Sequence, residues 1–282
     1  MDAVIDIGSN SVRLCFIVGD VSPKTPNTTF LAEGLAQNGV LLESAIERTA
    51  QAVAQFCQMA QLADNVYVFA TEAVRSASNG NVLCERIFAL TGKKVHVING
   101  EEEAKCGFMG ATSGRGGCVV DLGGASIEMI EGSQEITYCK SIPFGVRKAF
   151  DTCSFDRQAT HEYYASALKN FPKANLPVIG IGGTIVTLSA LKNEFKVYDT
   201  IKNHGTILTL EDLKKLEDEI YSYSSYKELA LSSPILDEKR ALVLGTGCIA
   251  FVELLSHLGK DSLVVSEADN CEGYYKVFVK NA

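Results

Sequence analysis

The chain has 282 residues, long enough for two domains of ordinary size, and its 46% hydrophobic and 21% charged residues allow a normal core and argue against disorder. A net charge of −8 argues against broad binding to nucleic acid or to an anionic membrane, so neither is expected as a partner. No apolar run is expected to reach the roughly 18–20 residues that span a bilayer. The N-terminus enters a strand with no charged region ahead of an apolar one, so no signal peptide is expected and the cytoplasm is the expected location.

In chain order, residues 3–14 (AVIDIGSNSVRL) open with an apolar strand, a carboxylate (Asp6) near its end, a tight turn of small residues and a second apolar strand. That is a β-hairpin whose tip can approach an anion closely. Thr28 to Gly34 reads as a third strand. Leu41 to Leu62 is amphipathic at helical spacing, with Ile46, Ala50, Val53 and Phe56 on one face. Val66 to Ala70 is a short buried strand, and Thr71 is placed to cap the next helix, with Glu72 in its first turn. A helix over Val82 to Leu90 and a strand over Lys94 to Ile98 follow. Glu101 to Met109 reads as a helix that opens on three carboxylates. The polar, Gly-rich stretch Thr112 to Gly117 is the best candidate hinge.

The plan then repeats. Residues 118–129 (CVVDLGGASIEM) superpose on residues 3–14, with Asp121 on Asp6, Gly123 on Gly8, Ser126 on Ser11 and Ile127 on Val12. Ile136 to Ile142 makes a third strand, and Asp156 to Phe171 a helix. Leu176 to Ile181 is a strand that runs into Gly182-Gly183-Thr184 and a helix from Ile185 to Leu191, where helix N-terminal amides can hold phosphate. Helices over Thr209 to Ser222 and Lys239 to Leu258, a strand over Leu263 to Val265 and a terminal helix over Glu272 to Lys280 complete the chain. Two such hairpins imply two copies of a mixed sheet packed by helices, not one βαβ sheet. The nine cysteines have no C-x-x-C pair and the four histidines no ligand spacing, so buried thiols in a reducing compartment are expected rather than zinc or disulfides.

Five segments carry a resemblance to a known family: Asp6 to Ser11, Ala70-Thr71-Glu72-Ala73-Val74-Arg75, Ile98 to Ala104, Val120 to Glu128 and Gly180 to Thr184. Together they resemble the exopolyphosphatase/guanosine pentaphosphate phosphohydrolase family. The hairpins point to the superfold; the A-T-x-A-x-R and G-x-E-E-A segments point to the family. The resemblance implies an α/β fold of two ribonuclease H-like domains of the actin–Hsp70–sugar kinase superfold, with mixed sheets packed by helices and a cleft between them. The first domain would cover residues 1–115 and about 268–282, the second residues 116–267. Longer members carry further C-terminal domains. Two departures stand out. Ala125 takes the place of a third glycine, and Cys271 stands where an arginine is common, which weakens the case for a nucleotide substrate.

The residues themselves say what chemistry is available. Cleaving a phosphoanhydride needs charge neutralisation, an oriented water and a proton acceptor. Gly8, Ser9, Asn10, Ser11, Gly123, Gly124 and Ser126 can bind phosphate oxygens, as can Gly182, Gly183 and Thr184 at the third turn. Asp6 and Asp121 would repel phosphate and are assigned instead to a metal, directly or through waters. Arg13 and Arg75 can clamp phosphate with paired donors. Glu103 and Glu128 are the candidates to position or deprotonate water, and the resemblance favours Glu103 as the base. Glu101 reads as a solvated first-turn residue and Glu72 as a helix starter. Lys93-Lys94 and Arg147-Lys148 are either a basic track for a polyanion or plain surface charge.

The resemblance implies Mg²⁺ (or Mn²⁺) as cofactor, with room for a monovalent cation such as K⁺, and homodimers. The expected activity is release of terminal phosphate from polyphosphate or guanosine pentaphosphate. Two other classes share the phosphate-binding turns: a kinase of the same superfold acting on a small-molecule acceptor, and a non-catalytic alarmone-binding protein. Phosphate release from polyphosphate with no acceptor separates all three.

Overall fold

The computed structural model describes residues 1–124 and 126–280, the side chain of Ala36 aside. Ala125, the departure in the second turn, therefore lies outside the described residues. The chain forms two compact units: Met1–Gly110 together with the segment from Asn270 onward, and Ala111–Asp269.

In the first unit, β1 (Ala3–Ile7) is buried along its whole length and pairs antiparallel with β2 (Ser11–Phe16) and parallel with β4 (Val66–Ala70). A strand walled on both faces reads as a continuous apolar run, which Ala-Val-Ile-Asp-Ile nearly is. The sheet runs β3-β2-β1-β4-β5, with β3 at Lys24–Thr28 and β5 at Val95–Val97. The third strand thus ends at Thr28, where the expected strand over Thr28 to Gly34 was to begin. It is a polar edge strand, and Pro26 sits in it because an edge position does not need that N–H. Helices α1 (Leu35–Asn38), α2 (Glu43–Met59), α3 (Glu72–Ser76), α4 (Gly80–Thr91) and α5 (Gly100–Thr112) complete the run. Helix α2 buries Ile46, Ala50, Val53 and Phe56 as its spacing predicts. Thr71 stands at the N-cap of α3, but its side chain makes no capping hydrogen bond. Helix α5 runs through Thr112, so only part of the polar stretch is loop.

The second unit carries β6 (Gly117–Leu122), β7 (Ile127–Gly132), β8 (Ile136–Ile142), β9 (Val178–Ile181), β10 (Ile207–Thr209) and β11 (Ser262–Val265), in sheet order β10-β11-β9-β6-β7-β8. Here β6 plays the part of β1, antiparallel to β7 and parallel to β9. The helices are α6 (Val146–Cys153), α7 (Arg157–Ala167), α8 (Gly183–Lys192), α9 (Thr200–Asn203), α10 (Leu210–Ile220), α11 (Tyr226–Ala230) and α12 (Glu238–Leu258). The longest, α12, packs against α6, α7, α8, α10 and α11. By length and composition, with a mean hydropathy of 1.8, α12 could cross a membrane, contrary to the expectation that no run is long enough. Its apolar residues include Leu244, Cys248, Phe251 and Leu255, all buried in the core of this unit, so it reads as the helix around which the others assemble. Each large side chain buried there contributes roughly 1.5–3 kcal/mol.

The segment that rejoins the first unit is α13 (Asn270–Tyr274), followed by a π turn at Tyr275–Val279, in place of the single helix expected over Glu272 to Lys280. Its attachment is specific. Tyr274 stacks on Phe69 with ring centroids 4.5 Å apart. The buried carboxylate of Glu272 accepts from Ser22 N at 2.9 Å and from Lys24 Nζ at 2.8 Å. Gly273 lies so close to α5 that an added Cβ would stand 1.7 Å from the Cys106 carbonyl oxygen, which only glycine allows. Cys271 is fully buried beside Cys106, Cys15 and Phe69, so the position where an arginine is common serves the core here. All nine cysteines are free thiols.

Candidate functional site

In the first unit the turn after β1 closes by a hydrogen bond from Gly8 N to Ser11 O at 3.1 Å, which leaves Ser9 and Asn10 exposed at the tip. Asp6 and Arg13 are direct cross-strand partners, so their side chains share a face. Arg13 donates Nε to Asp6 Oδ2 at 3.0 Å and Nη2 to the same oxygen. Asp6 is 2% exposed, and a carboxylate buried that deeply needs such a partner. Asp6, assigned to a metal, and Arg13, assigned to clamp phosphate, thus neutralise each other in this structure.

The three glutamates that open α5 separate cleanly. Asn99 and Glu102 form a reciprocal cap: Glu102 N donates to Asn99 Oδ1 at 2.9 Å, and Asn99 N donates to Glu102 Oε2 at 2.8 Å. Glu101 is exposed, as expected of a first-turn carboxylate. Glu103, one residue past the cap, turns toward Arg75 and accepts from its Nη1 at 3.1 Å. Arg75 also donates Nη1 to the Ile98 carbonyl at 2.6 Å and Nη2 to Glu72 Oε2. Its terminal donors are therefore occupied by carboxylates and a carbonyl, which modifies the simple phosphate-clamp reading. Burial pushes the Glu103 carboxyl above its ordinary range. Arg75 opposes that shift, and the nearby charges of Asp6 and Glu72 add to it. A carboxylate with raised proton affinity, held by an arginine, is equipped to accept a proton.

In the second unit the same turn recurs, with Gly123 N donating to Ser126 O at 3.0 Å. At the register position where Asp6 meets Arg13, Asp121 meets Glu128. Two carboxylates on one face of a hairpin is an arrangement that a hard cation balances. Glu128 also accepts from Ser141 Oγ at 2.5 Å. The third turn adjoins this pair. Gly182 has φ of +91°, and a Cβ there would stand 2.7 Å from Asp121 Oδ1, so only a glycine both adopts the turn and leaves space for the carboxylate. Gly183 begins α8, and the guanidinium of Arg240 lies over it, with Nη1 2.1 Å from where a Cβ would be. Thr184, also assigned to phosphate, is buried, and its side chain packs against Gly247 of α12.

Two features escaped the sequence reading. Helix α6 donates Val146 N to the Gly123 carbonyl and Arg147 N to the Gly124 carbonyl, both at 2.9 Å, so it braces the second turn and starts Arg147 and Lys148 beside it. The apolar spacing of Val146, Ala149 and Cys153 was a legible signal for that helix. Arg240 had no local signal, since its place over Gly183 depends on the packing of α12 on α8. Arg147 pairs with Asp151 at 2.9 Å as an exposed i,i+4 pair.

Residues 5–276 match the Ppx/GppA phosphatase family. The chain belongs to this family. It is 29% identical to exopolyphosphatase 2 of Mycobacterium tuberculosis, over 96% of each chain. It is 30% identical to the bifunctional 3-dehydroquinate synthase/phosphatase of Fusobacterium nucleatum and 28% identical to guanosine-5'-triphosphate,3'-diphosphate pyrophosphatase of Aliivibrio fischeri, but spans only 46% and 58% of those proteins. The crystal structure of the Aquifex aeolicus member of the Ppx/GppA family superposes with a TM-score of 0.84 at 29% identity, covering 100% of this chain and 98% of that one. An exopolyphosphatase from Cytophaga hutchinsonii gives 0.78 at 25% identity, over 98% and 97% of the two chains. The fold is the two-domain actin-like ATPase superfold of this family's structures.

Proposed function

We propose that this Ppx/GppA family member hydrolyses the terminal phosphoanhydride of inorganic polyphosphate and releases orthophosphate. The carrying observation is Glu103. It is a largely buried carboxylate with raised proton affinity, fixed on a capped helix and held by Arg75. In this reading a water attacks the terminal phosphorus, and its proton passes to Glu103. The bond from that phosphorus to the bridging oxygen breaks, and the shortened chain leaves with the electron pair. Each unit has turn amides that can serve phosphate oxygens: those of Ser9 and Asn10 in the first, and those of Gly124, Gly182 and Gly183 in the second. Asp121 and Glu128, with the space left by Gly182, are the residues that fit Mg²⁺ or Mn²⁺. Bound there, such a cation would neutralise phosphate charge. Asp6, balanced by Arg13, fits it less well.

The relative matched along nearly its whole length carries the exopolyphosphatase name, which supports polyphosphate over guanosine pentaphosphate. So does Cys271, which is fully buried where an arginine is common and offers a nucleotide nothing. The test is phosphate release from tripolyphosphate and longer chains with Mg²⁺ and no acceptor, beside guanosine pentaphosphate at equal concentration. Faster release from polyphosphate is expected. Turnover that appears only when a sugar or acid acceptor is added would establish the kinase reading instead, and binding without turnover the alarmone-sensor one.

A further inference from the structure

The three partners of Arg75 differ in how firmly they hold it. The Ile98 carbonyl is main chain, anchored by a fully buried side chain, and accepts from Nη1 at 2.6 Å. Glu103 accepts from the same nitrogen and sits on a helix whose start is fixed by the Asn99–Glu102 cap. Glu72 is the weak member. It takes Nη2 from three residues away on the short helix α3, and its side chain is 61% exposed. An exposed pair of that kind shifts an equilibrium by no more than a few-fold, since water and salt compete for both groups. Glu72 also occupies the open position of the A-T-x-A-x-R segment, so the pattern that marks the family does not ask for a carboxylate there.

We propose that Glu72 is a placeholder: its carboxylate occupies the Nη2 edge of Arg75 until a substrate phosphate displaces it, while Nη1 stays on Glu103 and the Ile98 carbonyl. The chemistry of the exchange is like for like. A carboxylate and a phosphate present similar paired oxygens to a guanidinium edge, and the phosphate brings more charge and more acceptors. The strong partners keep Arg75 aimed and keep Glu103 in place during the exchange. Only the exposed partner leaves, and it leaves into water, where a carboxylate is well solvated. Glu72 thereby sets a threshold. An anion of single charge gains too little to displace it, whereas the end of a phosphate chain gains enough. The residue tunes substrate affinity and does not touch the reacting atoms.

This inference rests on the hydrolase reading, and the experiment keeps the two apart. Affinity for an imido-linked, non-hydrolysable triphosphate is measured by calorimetry, and KM and kcat for tripolyphosphate by phosphate release. Both are run on the wild type, Glu72→Gln, Glu72→Ala and Glu101→Gln. Glu101 is an exposed carboxylate on the same helix as Glu103 and controls for the general removal of negative charge. Both Glu72 variants are expected to lower Kd and KM by about two- to fivefold with kcat held within about twofold, and Glu101→Gln to change neither by as much as twofold. The placeholder is overturned if the Glu72 variants leave Kd and KM unchanged or raise them, or if Glu101→Gln reproduces their effect. A wild-type protein that neither binds the imido compound nor cleaves tripolyphosphate overturns both readings. One that cleaves it while the Glu72 variants show no gain in affinity overturns the placeholder alone.

Discussion

Glu103→Gln separates chemistry from architecture, because the structure says how little of the fold leans on the charge at that position. Helix α5 is capped by Asn99 and Glu102, so the substitution leaves its start intact. The glutamine carbonyl can still accept from Arg75 Nη1, and what is lost is the ionic part of a pair whose members are 27% and 28% exposed. For a pair that water still partly reaches, that loss is about 1 kcal/mol or less, a few degrees in melting temperature at most. Proton acceptance, by contrast, is abolished outright, since an amide has no useful basicity. Loss of general-base assistance costs about 10²–10⁴ in rate, roughly 3–5.5 kcal/mol of barrier. Turnover should therefore collapse in a protein that melts almost normally. The wild-type pH–rate profile should carry the matching signature. The base must be ionised to act, and burial raises its proton affinity, so kcat/KM should rise with pH through a value above the ordinary glutamate range near 4.3 and then level off. Phosphate release by stopped assay, with circular dichroism melts alongside, reads both quantities. Turnover within tenfold of wild type in a folded Glu103→Gln protein would remove this residue from the mechanism.

Activity should vanish in excess chelator and return with Mg²⁺ or Mn²⁺, because the opposed Asp121 and Glu128 cannot share a site with a phosphate chain without a cation; full activity in chelator would contradict this. Arg75→Ala should raise KM and also lower kcat, since it releases Glu103, and Arg13→Ala should weaken binding while destabilising the fold around buried Asp6. Both should exceed Lys93→Ala and Lys94→Ala in assays at matched ionic strength, and the reverse order would move substrate binding to the surface lysines. His161 sits with Nε2 2.7 Å from Glu217 and Nδ1 2.7 Å from Glu253; burial alone would lower its proton affinity, but the two carboxylates outweigh that and the net shift is upward. The stability this gives is complete below the ordinary histidine value near 6.5 and is lost as pH rises through the raised folded value, so wild type should lose melting temperature above about pH 6.5 more steeply than His161→Gln, and parallel curves would refute it.

The parts of this molecule that were legible in the sequence are those where one physical rule dominates. The two hairpins were readable because a buried central strand next to a tight turn demands a continuous apolar run and small residues together, and Ala3–Ile7 and Gly117–Leu122 both show it. Helices α2 and α12 were readable because burial along a stripe or all round leaves a period or a plateau in hydropathy. Strand β3 was misplaced because an edge strand owes its existence to pairing with β2, and Lys-Thr-Pro-Asn-Thr carries no pattern of its own. Among the candidate site residues, partners within one hairpin were legible and partners from separate elements were not. Arg13 opposite Asp6 follows from hairpin register, which the repeat already contained. That Arg75 meets Glu103, or that Arg240 lies over Gly183, depends on how separate helices pack, and no local spacing encodes that.

The repeat matters most where it is imperfect. The turns after β1 and β6 close by the same hydrogen bond, between residues three apart, and the strands around them keep the same register. The closing hydrogen bond and the register are thus kept while one cross-strand partner changes from arginine to glutamate. In the first unit the aspartate is neutralised internally by Arg13. In the second, two carboxylates stand at opposed positions beside a glycine turn that makes room for one of them. A polyanion and a divalent cation need opposite environments. The Asp6–Arg13 and Asp121–Glu128 pairs are therefore not equivalent copies: the first is an internally balanced ion pair, and the second sets two carboxylates opposite one another.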